Sequence, residues 1–149
     1  MNAVAVIALA AALLPGMVKA GSGRFVNVSS GIVARPRYMI GGTAYAATKA
    51  ALEAHTVNLA AELAGTGVSA NAYRPGGVDT AMQAWIREQD PDRIGAGLRD
   101  QFARTYTSGT LLTPQRSAAS LIARMSTRRH RPDLGRRRRP VLNYAAAQE

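Results

Sequence analysis

The stretch "TAYAATKAALEAHTVNLAAELAGTGVSANAY", Thr43–Tyr73, decides the fold of this chain. Its first part is alanine-rich and carries Leu52, Val57, Leu59 and Leu63, which supply apolar surface for packing. A long helix is predicted from Thr43, read as the N-cap, to about Ala64, with Gly65 and Gly67 ending it. "VSANAY" then predicts a strand over Val68–Tyr73. Working outward, "RFVNVSS" (Arg24–Ser30) has little polar alternation and reads as a strand covered on both faces, as in a parallel sheet. Gly31–Gly42, rich in Gly, Pro and Arg, reads as a loop. Asn2–Lys19 reads as a helix kinked at Pro15 and buried on most of its circumference. Beyond the loop "RPGGVDT" (Arg74–Thr80), helices are predicted at Ala81–Glu88, near Gly97–Tyr106, and from Pro114 to Met125 with Thr113 as cap. The order helix, strand, helix, strand, helix implies a parallel α/β sheet. Ligands in such sheets lie outside the carboxyl ends of the strands, where both the Ser29–Ser30 loop and the Arg74–Thr80 loop fall.

Composition sets limits. The 149 residues are 47% apolar, enough for the core of one domain. No cysteine and only two histidines, His55 and His130, argue against disulfides and thiolate or histidine-rich metal sites. The net charge of +10 is unevenly placed: residues 1–127 hold 12 Lys and Arg against 7 Asp and Glu, while Arg128–Arg139 alone holds seven arginines. The basicity is therefore largely that of a tail. Asn2–Leu14 is an apolar run of 13 residues with no basic residue ahead of it, so neither a secretory signal nor a bilayer span of roughly 20 residues is expected. A cytoplasmic location fits these counts.

Within the long helix, Tyr45 and Lys49 stand four residues apart and share a face. A cation beside a phenol favours the phenolate, which makes tyrosine a usable acid or base near neutral pH. The pair alone is weak evidence, since a solvated lysine on an amphipathic helix has the same spacing. Three further features give it weight. Ser29 and Ser30 leave a strand 15 or 16 residues before Tyr45, "PGGVDT" offers two glycines for close approach to a flat ligand, and Asn2 lies on the preceding helix.

The phrases "ALLPGMVKAGSGRFVNVSS", "YAATKAAL", "VSANAYRPGGVDTAM" and "LLTPQRSAASLIARM" stand in one order over about Asn2 to Met125. In this the chain resembles the carboxyl-terminal half of the short-chain dehydrogenase/reductase family. The resemblance implies an incomplete Rossmann-like, doubly wound parallel sheet whose amino-terminal half is absent. It implies hydride transfer between NAD or NADP and a small carbonyl or alcohol substrate. By the same resemblance Tyr45 is the catalytic acid/base, and Lys49 holds the nicotinamide ribose and assists the tyrosine. Ser30 polarises the substrate oxygen, with Ser29 as a substitute, and Asn2 supports a water-mediated proton relay to the lysine. Pro75, Gly76, Val78 and Thr80 belong to the loop that packs on the nicotinamide. A homo-oligomer through the two long helices is implied as well.

The chain departs from the family in three places. The spacing from Ser30 to Tyr45 is about two residues longer than usual, so "GIVARPRYMIGG" is expected to bulge outward, with Arg37 and Tyr38 either solvated or lining a pocket. No Gly-rich strand–turn–helix is present to receive a pyrophosphate, since "GSGR" at Gly21 leads into a strand, so the chain is expected to bind such cofactors weakly. Residues 128–149 replace the expected closing strand with an arginine-rich tail, read as disordered and as the product of a frame change near Met125–Arg129. A competing reading makes that tail a nucleic-acid binder, but no aromatic residues interleave with the arginines and no sequence-specific nucleic-acid partner is expected. An inactive fragment is the other alternative. No membrane partner is expected.

Overall fold

The computed structural model describes residues 2–126. Helix α1 (Val4–Lys19) leads into strand β1 (Gly23–Val28), and helix α2 (Thr43–Glu62) connects it to strand β2 (Val68–Tyr73). The two strands pair in parallel, with Gly23 opposite Val68 and Val28 opposite Tyr73. Then come α3 (Ala81–Glu88), α4 (Pro91–Ile94), α5 (Ala96–Thr107) and α6 (Pro114–Ser126).

The core forms where α1 and α2 meet the sheet. Ala10 of α1, Leu59 of α2, Leu63 just beyond it, and Val68 and Ala70 of β2 make one buried cluster, with Leu14, Met17, Phe25 and Ala60 packed around it. Each fully buried leucine is worth about 1.5–3 kcal/mol relative to an exposed one. The end of α2 is joined to β2 by Thr66, whose hydroxyl donates to Leu63 O (2.7 Å) and accepts from Val68 N (3.2 Å). Gly67, at φ +78, passes so close to the turn after α1 that a Cβ there would stand 1.9 Å from Gly21 O. Only glycine fits. The far end of β2 is held by α6, where Tyr73 Oη donates to Ser117 O at 2.9 Å.

Several expectations need correction. Gly42, not Thr43, is the N-cap of α2, and no side chain caps that end because Thr43 already lies inside the helix. Asn2 sits in a turn ahead of α1 rather than on it. Only Ala10 of α1 is buried, and Val4 (74%), Leu9 (59%) and Leu13 (46%) remain open, because the described residues cover a single stripe of this helix. The same partial cover leaves Val28 of β1 exposed, so that strand is not enclosed on both faces. Within Gly31–Gly42, two 3₁₀ turns form, Gly31–Val33 and Pro36–Met39. Thr113 caps α6 as expected, accepting from Arg116 N (3.2 Å), and Thr80, read only as a loop residue, caps α3 by accepting from Gln83 N (3.4 Å). The predicted basic tail lies outside the described residues.

Candidate active site

Tyr45, Lys49 and Glu53 follow one another at four-residue intervals, forming a stripe along α2 that points at the carboxyl ends of the strands. Tyr45 and Lys49 are half-buried, whereas Glu53 is buried. Lys49 Nζ donates to Val28 O at 2.7 Å, fastening the ammonium to the last residue of β1. The same atom stands 5.8 Å from the centre of the Tyr45 ring. Burial pushes the Lys49 ammonium below the usual lysine range, because the charged form gives up water there.

One turn further along, Glu53 joins the two strand ends. Its Oε1 accepts from Ser29 Oγ at 2.5 Å and from Arg74 Nε at 2.6 Å, and Arg74 Nη2 donates to Oε2. Ser29 is the first residue after β1 and Arg74 the first after β2. Ser29 N also donates to Tyr73 O at 2.7 Å, extending the pairing by one step. Burial alone would raise the Glu53 pKa, but the hydrogen bonds from Arg74 and Ser29 and the Arg74 charge outweigh it and hold the carboxyl below its usual range. A turn deeper, Asn27 Nδ2 donates to Thr56 Oγ1 at 2.9 Å, and Thr56 Oγ1 donates to Leu52 O at 2.6 Å.

This network separates the two serines. Ser29 is buried and committed to Glu53. Ser30 is half-buried and caps the Gly31–Val33 turn by accepting from Ile32 N at 3.3 Å. Among the described residues the Ser30 hydroxyl donates to no acceptor.

The loop after β2 is clamped from the other side. Leu112 N donates to Gly77 O (2.8 Å) and Asp79 N to Leu112 O (2.9 Å), so Val78 and Leu112 form an isolated parallel bridge. Ser117 Oγ lies 3.2 Å from Pro75 O. Gly76, at φ +80, is exposed and presents open backbone. Val78 is half-buried, and Thr80 serves as the cap of α3. Tyr45, Lys49 and Ser30 are thus on elements that meet at one sheet edge, with Pro75–Thr80 following the neighbouring strand. Asn2 is not tied to them: it is exposed, and among the described residues its side chain makes no hydrogen bond.

The sequence reading missed Glu53, Arg74 and the structural use of Ser29. A signal was available, since Glu53 continues the Tyr45–Lys49 interval and falls beside Leu52 on the face that also carries Thr56 and Leu59. A charge on a core-facing stripe requires a buried partner.

Residues 1–91 match the short chain dehydrogenase family, and the chain belongs to it. It is 35% identical over 102 residues to 2,3-dihydro-2,3-dihydroxybenzoate dehydrogenase of Escherichia coli (strain K12), covering 67% of this chain and 40% of that protein. A short-chain type dehydrogenase/reductase of Picea abies is 48% identical over 89 residues, covering 53% of this chain and 32% of that protein. Among solved structures, the KRED1-Pglu enzyme superposes with a TM-score of 0.73 at 28% identity, over 89% of this chain and 52% of that one. A short-chain dehydrogenase from Sphingobium yanoikuyae, in complex with NADPH, gives a TM-score of 0.54 at 26% identity, over 92% and 58%. The chain spans less than half the length of these curated relatives. Its two parallel strands and crossover helix are an incomplete Rossmann-like α/β sheet.

Proposed function

We propose that this chain carries the catalytic segment of an NAD- or NADP-dependent oxidoreductase acting on a small carbonyl or alcohol substrate. The observation that supports this most is the position of Lys49 Nζ, tied to Val28 O and beside the Tyr45 ring, at the edge where Ser30 leaves β1. The bound nicotinamide would supply or accept the hydride. Tyr45 gives its proton to the oxygen that becomes an alkoxide and takes one back in the reverse direction. Lys49, held close by, stabilises the phenolate left behind and serves as the donor to the ribose. Ser30, whose hydroxyl proton is uncommitted, donates to the substrate oxygen, while Ser29 is excluded from that part by its bond to Glu53. A water-mediated relay from Asn2 to Lys49 rests on the family pattern alone, since Asn2 stands exposed in a turn ahead of α1.

The loop after β2 suits a flat cofactor ring. A Cβ on Gly76 would meet nothing closer than Leu112 Cδ1 at 3.6 Å, so the exposed backbone leaves room for close approach. Pro75, Gly76, Val78 and Thr80 are the residues assigned to that contact. Residues 1–127 make up the carboxyl-terminal part of the dinucleotide-binding domain in this reading, and the protein acts in the cytoplasm. No helix among the described residues is long and apolar enough to cross a membrane. The exposed apolar side of α1, together with α2, supports a homo-oligomer through these two helices.

The test is a proton-donor substitution. Fused behind the amino-terminal half of a curated relative, the chain is expected to oxidise NADH or NADPH with a ketone present. Tyr45→Phe should remove at least about 99% of that rate while leaving cofactor binding intact. A variant that keeps more than about a tenth of the rate rejects Tyr45 as the acid.

A further inference from the structure

The segment joining Ser30 to Tyr45 meets α5 across a cleft of about 470 Å³ lined by Arg37, Tyr38, Gln101, Arg104 and Thr105. The same segment approaches the end of α4 nearer the tyrosine, where a Cβ on Gly41 would stand 3.1 Å from Ile94 O. The cleft therefore lies between the loop leading to Tyr45 and the helices that follow Thr80. Its charge is one-sided. Arg37 and Arg104 both line it, and Arg35 adds a third guanidinium 5.7 Å from the Tyr38 ring centre. Among the described residues, neither Arg37 nor Arg104 has a carboxylate within ion-pair distance. Asp100, one turn before Arg104, is directed instead to Arg99 at 3.9 Å.

Arg37, Tyr38 and Arg104 line this cleft while remaining exposed, and an oxyanion placed between the two arginines would offset their like charges. Guanidinium forks match the planar geometry of a carboxylate and the tetrahedral oxygens of a phosphate. The Tyr38 hydroxyl and the Gln101 amide are further donors for the same group. We infer that this cleft recognises an oxyanion, carboxylate or phosphate, on the carbonyl substrate, so that the enzyme takes acid anions in preference to neutral ketones. The inference rests on the oxidoreductase reading in one respect, that the anion and the reacting carbonyl belong to one molecule.

The test is a titration of the 149-residue chain, followed by NMR, with three probes: 4-oxopentanoate, its methyl ester, and inorganic phosphate. At least one anion should bind saturably and move the Nε–Hε signals of Arg37 and Arg104, with the ester at least about ten-fold weaker than the keto acid if carboxylate is the ligand. Stronger effects of 4-oxopentanoate or of phosphate then decide which oxyanion the cleft takes. Arg37→Gln together with Arg104→Gln should abolish the shifts, and Tyr45→Phe should leave them unchanged. Equal binding of acid and ester with phosphate inert, or equal shifts at Arg93 and Arg116, would mark general attraction to a basic chain and overturn the inference. So would anion binding that survives the double substitution, or no saturable binding at all. If anion binding persists but ketone reduction does not depend on Tyr45, the functional reading falls and the anion site stands. Tyr45-dependent reduction without anion discrimination overturns the anion site alone.

Discussion

The strand-end junction and the outer side of α1 are both unusual surfaces for a small chain, and they are unusual in opposite ways. At the junction, Ser29, Glu53 and Arg74 are polar and buried, and Glu53 accepts hydrogen bonds from both of the others. On α1, Val4, Leu9 and Leu13 are apolar and open to solvent. A charge out of water is tolerable only with a partner at hydrogen-bond distance, so the junction is specific and brittle. Exposed apolar side chains need no partner, so the α1 face tolerates change until something covers it. The contrast bears on the candidate site, because the brittle region fixes the residues flanking Lys49 and Ser30.

The largest effect is expected where the contrast is broken outright. Glu53→Ala removes the carboxylate from a buried Arg74 guanidinium and should cost about 3–5 kcal/mol in urea unfolding. Adding Arg74→Met to Glu53→Met should recover most of that loss, since both buried charges are then gone. If the double substitution is as damaging as Glu53→Ala, the pair has another role in stability.

Acid sharpens the same point without mutation. The Glu53 pKa is depressed in the folded chain, so its contribution to stability is present above the ordinary carboxylate pKa. That contribution is lost as pH falls through the lower folded value. Stability measured against pH should therefore fall on the acid side, and less so in the Glu53→Met, Arg74→Met chain. Lys49 acts in the opposite sense: its lowered pKa is a cost that shrinks as pH rises from the folded value towards the ordinary lysine range. Lys49→Met should flatten the alkaline side of the profile.

Smaller effects follow from single hydrogen bonds. Ser29→Ala should cost about 1.5–3 kcal/mol, because the bond it removes ends on a charged group. Ser30→Ala removes only a cap on a 3₁₀ turn and should cost about 1 kcal/mol or less, although its effect on ketone reduction should be far larger. The pair of serines thus separates stability from activity. The smallest change is expected on α1, where Leu9→Gln should stay within about 0.5 kcal/mol in the monomer. A loss of about 2 kcal/mol or more, growing with protein concentration, would show that a second copy covers this face.

The main elements were legible because they depend on local periodicity. The helical spacing of Leu52, Leu59 and Leu63, the glycines after them and the short apolar run Val68–Tyr73 predicted helix, turn and strand at nearly the observed bounds. Thr113 was readable as a cap because capping is a contact within one turn, and the same signal at Thr80 was passed over. Thr43 was misread since Gly42, one residue earlier, takes the boundary conformation. The two 3₁₀ turns of residues 31–42 were not legible, since turns that short leave no periodic signal.

Sequence by itself determined the alternation of helix and strand, and it put Tyr45 and Lys49 on one helical face, because both follow from spacing along a single element. Which serine is spent on structure could not be read that way. Ser29 and Ser30 are adjacent and chemically identical, and successive residues leaving a strand point to opposite sides. The tertiary structure decided between them by bringing Glu53 from 24 residues away onto Ser29, and Arg74 from 21 residues beyond onto Glu53. Contacts at that separation depend on how α2 lies across β1 and β2, so they exist only once the sheet has formed.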